Sequence, residues 1–210
     1  MVVLHDVRVA AHQVGRLAGH QQEVCGLAWS PDGKTLATGG NDNIVQIWQL
    51  GRESPLHSIT QHQSAVKALS WCPWQSSVLA TAGGTVDRTI RVWQTSTMTQ
   101  LVSTDTGSQV SSIVWNSAYK ELVTGHGFSH NQLTIWKYPK AGGETLLKVA
   151  DLIGHTSRVL LLATSPDSSM VASLAADETI RLWKVWPEKE KKVSSRSHLV
   201  SNLAQSIRYS

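Results

Sequence analysis

The chain has 210 residues, 41% hydrophobic and 16% charged, with a formal net charge of +4. That is enough apolar material for a substantial core, and it excludes a disordered chain. No run approaches the ~18 apolar residues of a membrane span. The basic excess near the C-terminus, Lys184, Lys189, Lys191, Lys192 and Arg196, is diluted by Glu188 and Glu190, unlike a nucleic-acid-binding face.

Taken from the start, Met1–Asp6 reads as the end of one strand and Gln13–Ala18 as the next, so residues 1–18 are expected to be the end of a truncated repeat unit. Gly19-His20 then opens a full unit. VCGLAW alternates as a strand, Ser30-Pro31-Asp32-Gly33 is a turn, TLATGG is a second strand and Asn41-Asp42-Asn43 a second turn. IVQIW closes the unit at Trp48, and PLHSIT supplies an outer strand. A second unit opens at Gln61-His62 and closes at Trp93. A third runs from about Thr106 to Trp136, and a fourth from Gly154-His155 to Trp183. The closing tryptophans are spaced 45, 43 and 47 apart, and Trp29, Trp71 and Trp115 form a second series spaced 42 and 44. This is the ~40–45-residue period of a four-stranded propeller blade. The predicted fold is all-β: a WD-repeat β-propeller arc of four near-complete blades (about 19–60, 61–104, 105–153 and 154–186), with a flexible tail over 187–210. No outer strand is evident after Trp183, so an open arc with exposed strand edges is expected.

Polar residues recur at matching points of the units. His20, His62 and His155 open three of them. Thr38, Thr81 and Ser173 share a place in the second strand, and Asp42, Asp87 and Asp177 each stand six residues before Trp48, Trp93 and Trp183. Such a set forms a buried Trp–Ser/Thr–His–Asp hydrogen-bond chain in WD repeats. A lone His–Asp pair would suggest catalysis or a metal, but repetition in separate blades makes it structural. The third unit has Thr106 in place of the His and His130 in place of the Asp, and is expected to be held more by packing. Cys25 and Cys72 occupy similar strand positions and read as buried thiols, which fits a reducing intracellular compartment, cytoplasm or nucleus. No cofactor or metal is expected. With no nucleophile–base pair outside the repeating set and no phosphate-binding loop, the chain reads as a binding protein and not an enzyme.

Several stretches are more specific than the repeat: GHQQEVCGLAWSPDGKTLATGGNDN, CPWQ, GGTVDR, KELVTGHGF, IWKYP, GHTSRVL and AADET. Over residues 1–186 these resemble blades four to seven of the seven-bladed propeller of the Fizzy and Fizzy-related activators of the anaphase-promoting ubiquitin ligase. The resemblance implies a non-enzymatic adaptor that presents degrons in cell-cycle control. Its partners would be ligase subunits, degron-bearing substrates and checkpoint or inhibitor proteins. It implies Lys-Glu-Asn (KEN) box contacts at Asn41, Asn43, Thr85, Gln109 and Arg158, and a destruction-box contact at Glu178. It also implies a ligase-docking dipeptide at Ile207 and Arg208, here followed by Tyr209 and Ser210. The strand assignment supports the grouping. Asn41, Asn43 and Thr85 fall in turns between second and third strands, Gln109 and Arg158 in turns between blades, and both turn types emerge at one end of a blade. The alternative is an interaction scaffold, or a relic, that assembles through its open edges and binds no degron.

Overall fold

The computed structural model describes residues 1–127, 130–140 and 143–186. Within them the secondary structure is seventeen strands in five antiparallel sheets, with no helix. Strands β1 (Val2–His5) and β2 (Gln13–Leu17) form a two-stranded ribbon. The first blade follows with β3 (Val24–Trp29), β4 (Thr35–Gly40), β5 (Val45–Gln49) and β6 (His57–Ile59). The second has β7 (Val66–Trp71), β8 (Val78–Gly83), β9 (Thr89–Gln94) and β10 (Thr99–Asp105). The third has β11 (Val110–Asn116), β12 (Glu121–His126), β13 (Leu133–Lys137) and β14 (Leu147–Leu152). The fourth has three strands among the described residues, β15 (Val159–Thr164), β16 (Met170–Ala175) and β17 (Ile180–Lys184).

Local chemistry sets the turns. Between β3 and β4, Ser30 Oγ donates to Asp32 Oδ1 (2.6 Å) and accepts the Thr35 N–H (3.0 Å), while Gly33 takes φ +68°. The fourth blade repeats this with Ser165, Asp167 and Met170. Between the second and third strands of the four blades, one residue lies in the left-handed region each time: Asn43, Arg88, Asn131 and Glu178. Asn tolerates that conformation better than most residues. Glu178 closes the same kind of turn as Asn43, its N–H donating to the carbonyl three residues back, while Arg88 closes a longer one onto the Gly84 carbonyl.

A blade's middle strands are sandwiched, so they read as continuous apolar runs and not alternating ones. Every residue of β8 and β12 is buried. The core is a series of clusters between neighbouring blades. Ala37, Val45, Ile47 and Ile59 meet Val66, Trp71, Leu79 and Trp93 at the first interface. Ala80, Ile90 and Val92 meet Val110, Ile113 and Trp115 at the second, and Val123, Leu133 and Ile135 meet Val159, Leu162 and Val171 at the third. The ribbon caps the first blade through Leu17 against Leu36 and Trp48. Six of the nine tryptophans are buried, Trp48, Trp71, Trp93, Trp115, Trp136 and Trp186, and each removes on the order of 150–250 Å² from water, which is how they stand in for a phenylalanine-rich core.

Two further devices join the blades. The Trp71 indole donates to the Ala28 carbonyl (2.9 Å) and that of Trp115 to the Ser70 carbonyl (3.1 Å), each reaching the innermost strand of the preceding blade. Gly39 sits so close to its neighbour that a Cβ there would lie 2.1 Å from the Val66 carbonyl oxygen. The end of the fourth blade folds back: buried Trp186 donates to Glu121 Oε2 (2.8 Å) on β12, whose other oxygen pairs with Lys137. The far face of that blade leaves Leu161, Leu174, Ile180 and Leu182 exposed.

Candidate functional site

The recurring polar residues form buried chains. In the first blade the Trp48 indole donates to Thr38 Oγ1 (2.9 Å), Thr38 donates to His20 Nε2 (2.7 Å), and His20 Nδ1 donates to Asp42 (3.0 Å). Trp93, Thr81, His62 and Asp87 repeat this, as do Trp183, Ser173, His155 and Asp177. Burial alone pushes the Asp42 and Asp87 carboxyls up. The Gln21 N–H and His20 at Asp42, and His62 and Thr89 at Asp87, outweigh it and hold both below the usual carboxylate range. Asp177 is held well below it, chiefly by the Thr179 hydroxyl. Every donor of these rings is used inside the blade, which leaves no His–Asp pair aimed at a ligand.

The third blade differs from the expectation that it relies on packing. It has its own chain: Trp136 donates to Thr124 Oγ1 (2.7 Å), Thr124 donates to His126 Nε2 (2.7 Å), and His126 Nδ1 donates to Ser108 Oγ (2.9 Å). The imidazole comes from the end of the second strand and not from the turn between blades, so His126 fills the space that a turn histidine fills elsewhere. Thr106 instead hydrogen-bonds Arg88 and Ser108 carbonyls, and His130 is exposed. Burial pushes the His126 pKa down to about 4, so the ring is neutral near pH 7. The sequence signal was Thr124-Gly125-His126 in a blade lacking its turn histidine.

The candidate binding residues lie at one end of the blades, where β3 starts beside the end of β4 (Val24 opposite Gly40) and the other blades follow suit. Gln109 and Arg158, each directly before the first strand of its blade, line one cleft of about 120 Å³ with Lys67, Ser111, Gly127, Val159 and Leu160. Gly127 keeps it open, since a Cβ there would approach Gln109 Oε1 to 3.2 Å. Asn41, Asn43 and Thr85 are outside this cleft's lining. Asn41 is exposed, and its amide donates to Glu23 Oε2 (3.3 Å). Asn43 is half-buried at φ +66°, and Thr85 is exposed on a turn two residues longer than that of the first blade. Glu178 is exposed on the fourth blade at φ +63° and joins none of the others. Ile207 and Arg208 lie outside the described residues. Sequence reading missed Lys67, a strand residue that a bulge turns toward the cleft. Among the described residues no group of three or more His, Cys, Asp or Glu is arranged to hold a metal ion.

Repeating antiparallel blades, each with a buried Trp–hydroxyl–His chain, define a WD-repeat propeller. The CDC20/Fizzy WD40 domain model matches residues 1–183, and the chain belongs to that family. The anaphase-promoting complex subunit cdc20 of Dictyostelium discoideum is 55% identical over 90% of this chain and 37% of its own length. WD repeat-containing protein slp1 of Schizosaccharomyces pombe is 48% identical over 87% of this chain and 37% of its own. Protein FIZZY-RELATED 3 of Arabidopsis thaliana is 49% identical over 89% and 38%. The chain thus spans well under half the length of these relatives. A chain in the crystal structure of a mitotic checkpoint complex superposes with a TM-score of 0.83 at 48% identity, covering 87% of this chain and 55% of that one.

Proposed function

We propose that this chain is the degron-reading portion of an activator-type subunit of the anaphase-promoting ubiquitin ligase, working by binding and not by catalysis. The observation that carries the reading is the cleft shared by Gln109 and Arg158. An amide and a guanidinium from adjacent blades converge where an extended peptide can lay a Glu and an Asn. Asn41, Asn43 and Thr85, on turns at the same end, are proposed to take the peptide's remaining polar groups, and Glu178 the arginine of a destruction box. Ile207-Arg208 is proposed to dock the chain on a ligase scaffold. The relatives named as cdc20 and Fizzy-related proteins support partnership with the ligase, and the checkpoint-complex neighbour supports checkpoint partners. Both cysteines are free thiols, in keeping with a reducing cytoplasm or nucleus. Titration of a fluorescent KEN-box peptide into the full chain tests the reading. Saturable binding that disappears with a scrambled peptide and with Arg158→Glu is expected. An affinity indifferent to both changes would overturn the site assignment.

A second reading rests on the exposed face carrying Leu161, Leu174, Ile180 and Leu182. Apolar patches of this kind mark association surfaces, and the chain then acts as a scaffold. Sedimentation at micromolar concentration separates the two: a monomer that binds peptide excludes a purely self-associating scaffold.

A further inference from the structure

The innermost strand of every described blade breaks register at the same place. The ladder steps from Val24 to Gly26, Val66 to Ala68, Val110 to Ser112 and Val159 to Leu161, leaving Cys25, Lys67, Ser111 and Leu160 as bulge residues. Two bulge side chains reach the next blade: Cys25 Sγ donates to the Val66 carbonyl (3.2 Å) and Ser111 Oγ to the Val159 carbonyl (2.5 Å). The first cross-strand pair after the break is Gly26–Gly39 in the first blade, Ala68–Ala82 in the second and Ser112–Gly125 in the third. In the fourth blade it is Leu161–Leu174.

In the first three blades this pair faces the next blade, and its small size is needed there. A Cβ on Gly26 would lie 2.5 Å from the Lys67 carbonyl oxygen, and one on Gly125 2.6 Å from Val159 Cγ1. Ala68 and Ala82 are buried in one cluster with Val110 and Ile113, and Ser112 Oγ accepts the Leu162 N–H (3.1 Å). The third strand keeps its character throughout. Ile180 and Leu182 stand in register where Val45 and Ile47, Ile90 and Val92, and Leu133 and Ile135 stand in the other blades. Those six are buried, whereas Ile180, Leu182, Leu161 and Leu174 are exposed.

We infer that Leu161 and Leu174 form a stop: they bar a further blade from stacking on the fourth as the second, third and fourth stack on their predecessors. An incoming innermost strand brings a valine and its carbonyl against this pair, as Val66 does at Gly39 and Val159 at Gly125. A hydrogen, a methyl or a hydroxymethyl group leaves room for them. Two isobutyl groups occupy the same space, and close-packed interiors do not absorb added methylenes freely. Standing the strand off would relieve the overlap, but it would forfeit indole bridges of the kind that Trp71 and Trp115 make to Ala28 and Ser70. The fourth blade thus keeps the apolar third strand of a blade interface and loses its fit to another blade.

The test has two arms, both on the full chain. In the first, residues 138–184 are duplicated directly after Lys184. Trp183-Lys184 stands where Trp136-Lys137 stands in the third blade, so the repeat stays in register and supplies an outer strand and one more blade. The duplicated chain is made with the leucine pair and with Leu161→Ser and Leu174→Gly in the first copy, which gives the fourth blade the pair on which it stacks itself. Limited trypsin digestion read by intact mass follows the added blade. It is expected to survive about tenfold longer with the small pair. Equal lifetimes in the two forms overturn the inference. In the second arm Ser112→Leu and Gly125→Leu place the leucine pair at the third interface, and hydrogen exchange is read blade by blade. Amides of β15–β17 are expected to exchange about tenfold faster while those of β3–β9 keep their protection. Unchanged protection of β15–β17 overturns the inference, and if this variant does not fold the first arm decides.

Discussion

His126 Nε2 lies 2.7 Å from the hydroxyl of Thr124, two residues earlier on the same strand. In the other three blades the equivalent hydroxyl meets a histidine eighteen or nineteen residues before it. The third blade has moved one member of its buried chain from turn to strand and kept the polarity of the rest.

That position makes His126 a pH sensor of stability. Its folded pKa is depressed to about 4 from the ordinary 6.5, so the unfolded chain binds more protons between those values. Its contribution is complete above pH 6.5 and is lost as pH falls toward 4, up to about 3 kcal/mol in all. Protonation would force Nε2 to donate to Thr124, whose hydroxyl must then turn to the Thr134 carbonyl at 3.4 Å. Urea midpoints measured from pH 7.5 to 5 should fall for the unmodified chain and fall less for His126→Gln. Parallel curves would refute this.

The shared hydroxyl of each chain is its least replaceable atom. Thr81→Val keeps the shape but leaves the Trp93 indole N–H and the His62 Nε2 atom without the hydroxyl they share, while His62 Nδ1 stays on Asp87. A loss of about 2–4 kcal/mol in urea unfolding is expected. Thr85→Val, on an exposed turn, should stay within about 0.5 kcal/mol and serves as the control.

The bridging indoles form a matched experiment. Trp71→Phe loses the bond to Ala28 and should cost about 1 kcal/mol beyond the change in packing. Trp29 occupies the same place in the first blade but is 47% exposed and has no hydrogen bond from its indole nitrogen among the described residues. Trp29→Phe should be close to neutral. Equal losses would show that packing, and not the bridge, sets the energy.

Gly39→Ala drives a methyl into the Val66 carbonyl across a blade interface. Overpacking of this kind costs about 1–3 kcal/mol. At Gly33 nothing lies within 4 Å of the added methyl, but φ is +68°, so Gly33→Ala should cost about 1 kcal/mol through backbone conformation alone. A thermal melt of each variant orders the two.

Blade number, strand order and three of the four buried chains follow from the spacing of tryptophans and the fixed offsets of His, Thr or Ser, and Asp. Such periodicity survives because every blade solves the same packing problem. His126 was hidden because a residue can reach one spot from two places in the chain. Lys67 was hidden because a bulge breaks the period of two by which strand faces are read. Trp74, Trp115 and Tyr138 pack edge to face, with Lys120 4.0 Å over the Trp74 ring. Trp74, Lys120 and Tyr138 come from three of the quoted motifs and Trp115 from the second tryptophan series, which sequence alone could group but not bring together. The cleft of Gln109 and Arg158 was legible as two turns at one end of neighbouring blades. Its depth and its lack of acid were not.

The repeating bulge has an evolutionary consequence. Cys, Lys, Ser and Leu occupy it in successive blades, while the valines before it stay constant because they hold the fold. The position is spent differently from repeat to repeat: Cys25 and Ser111 tie one blade to the next, while Lys67 is exposed and can change with little effect on how the chain is built. Duplicated copies of such a gene are free to diverge in their choice of ligand while inheriting the same architecture.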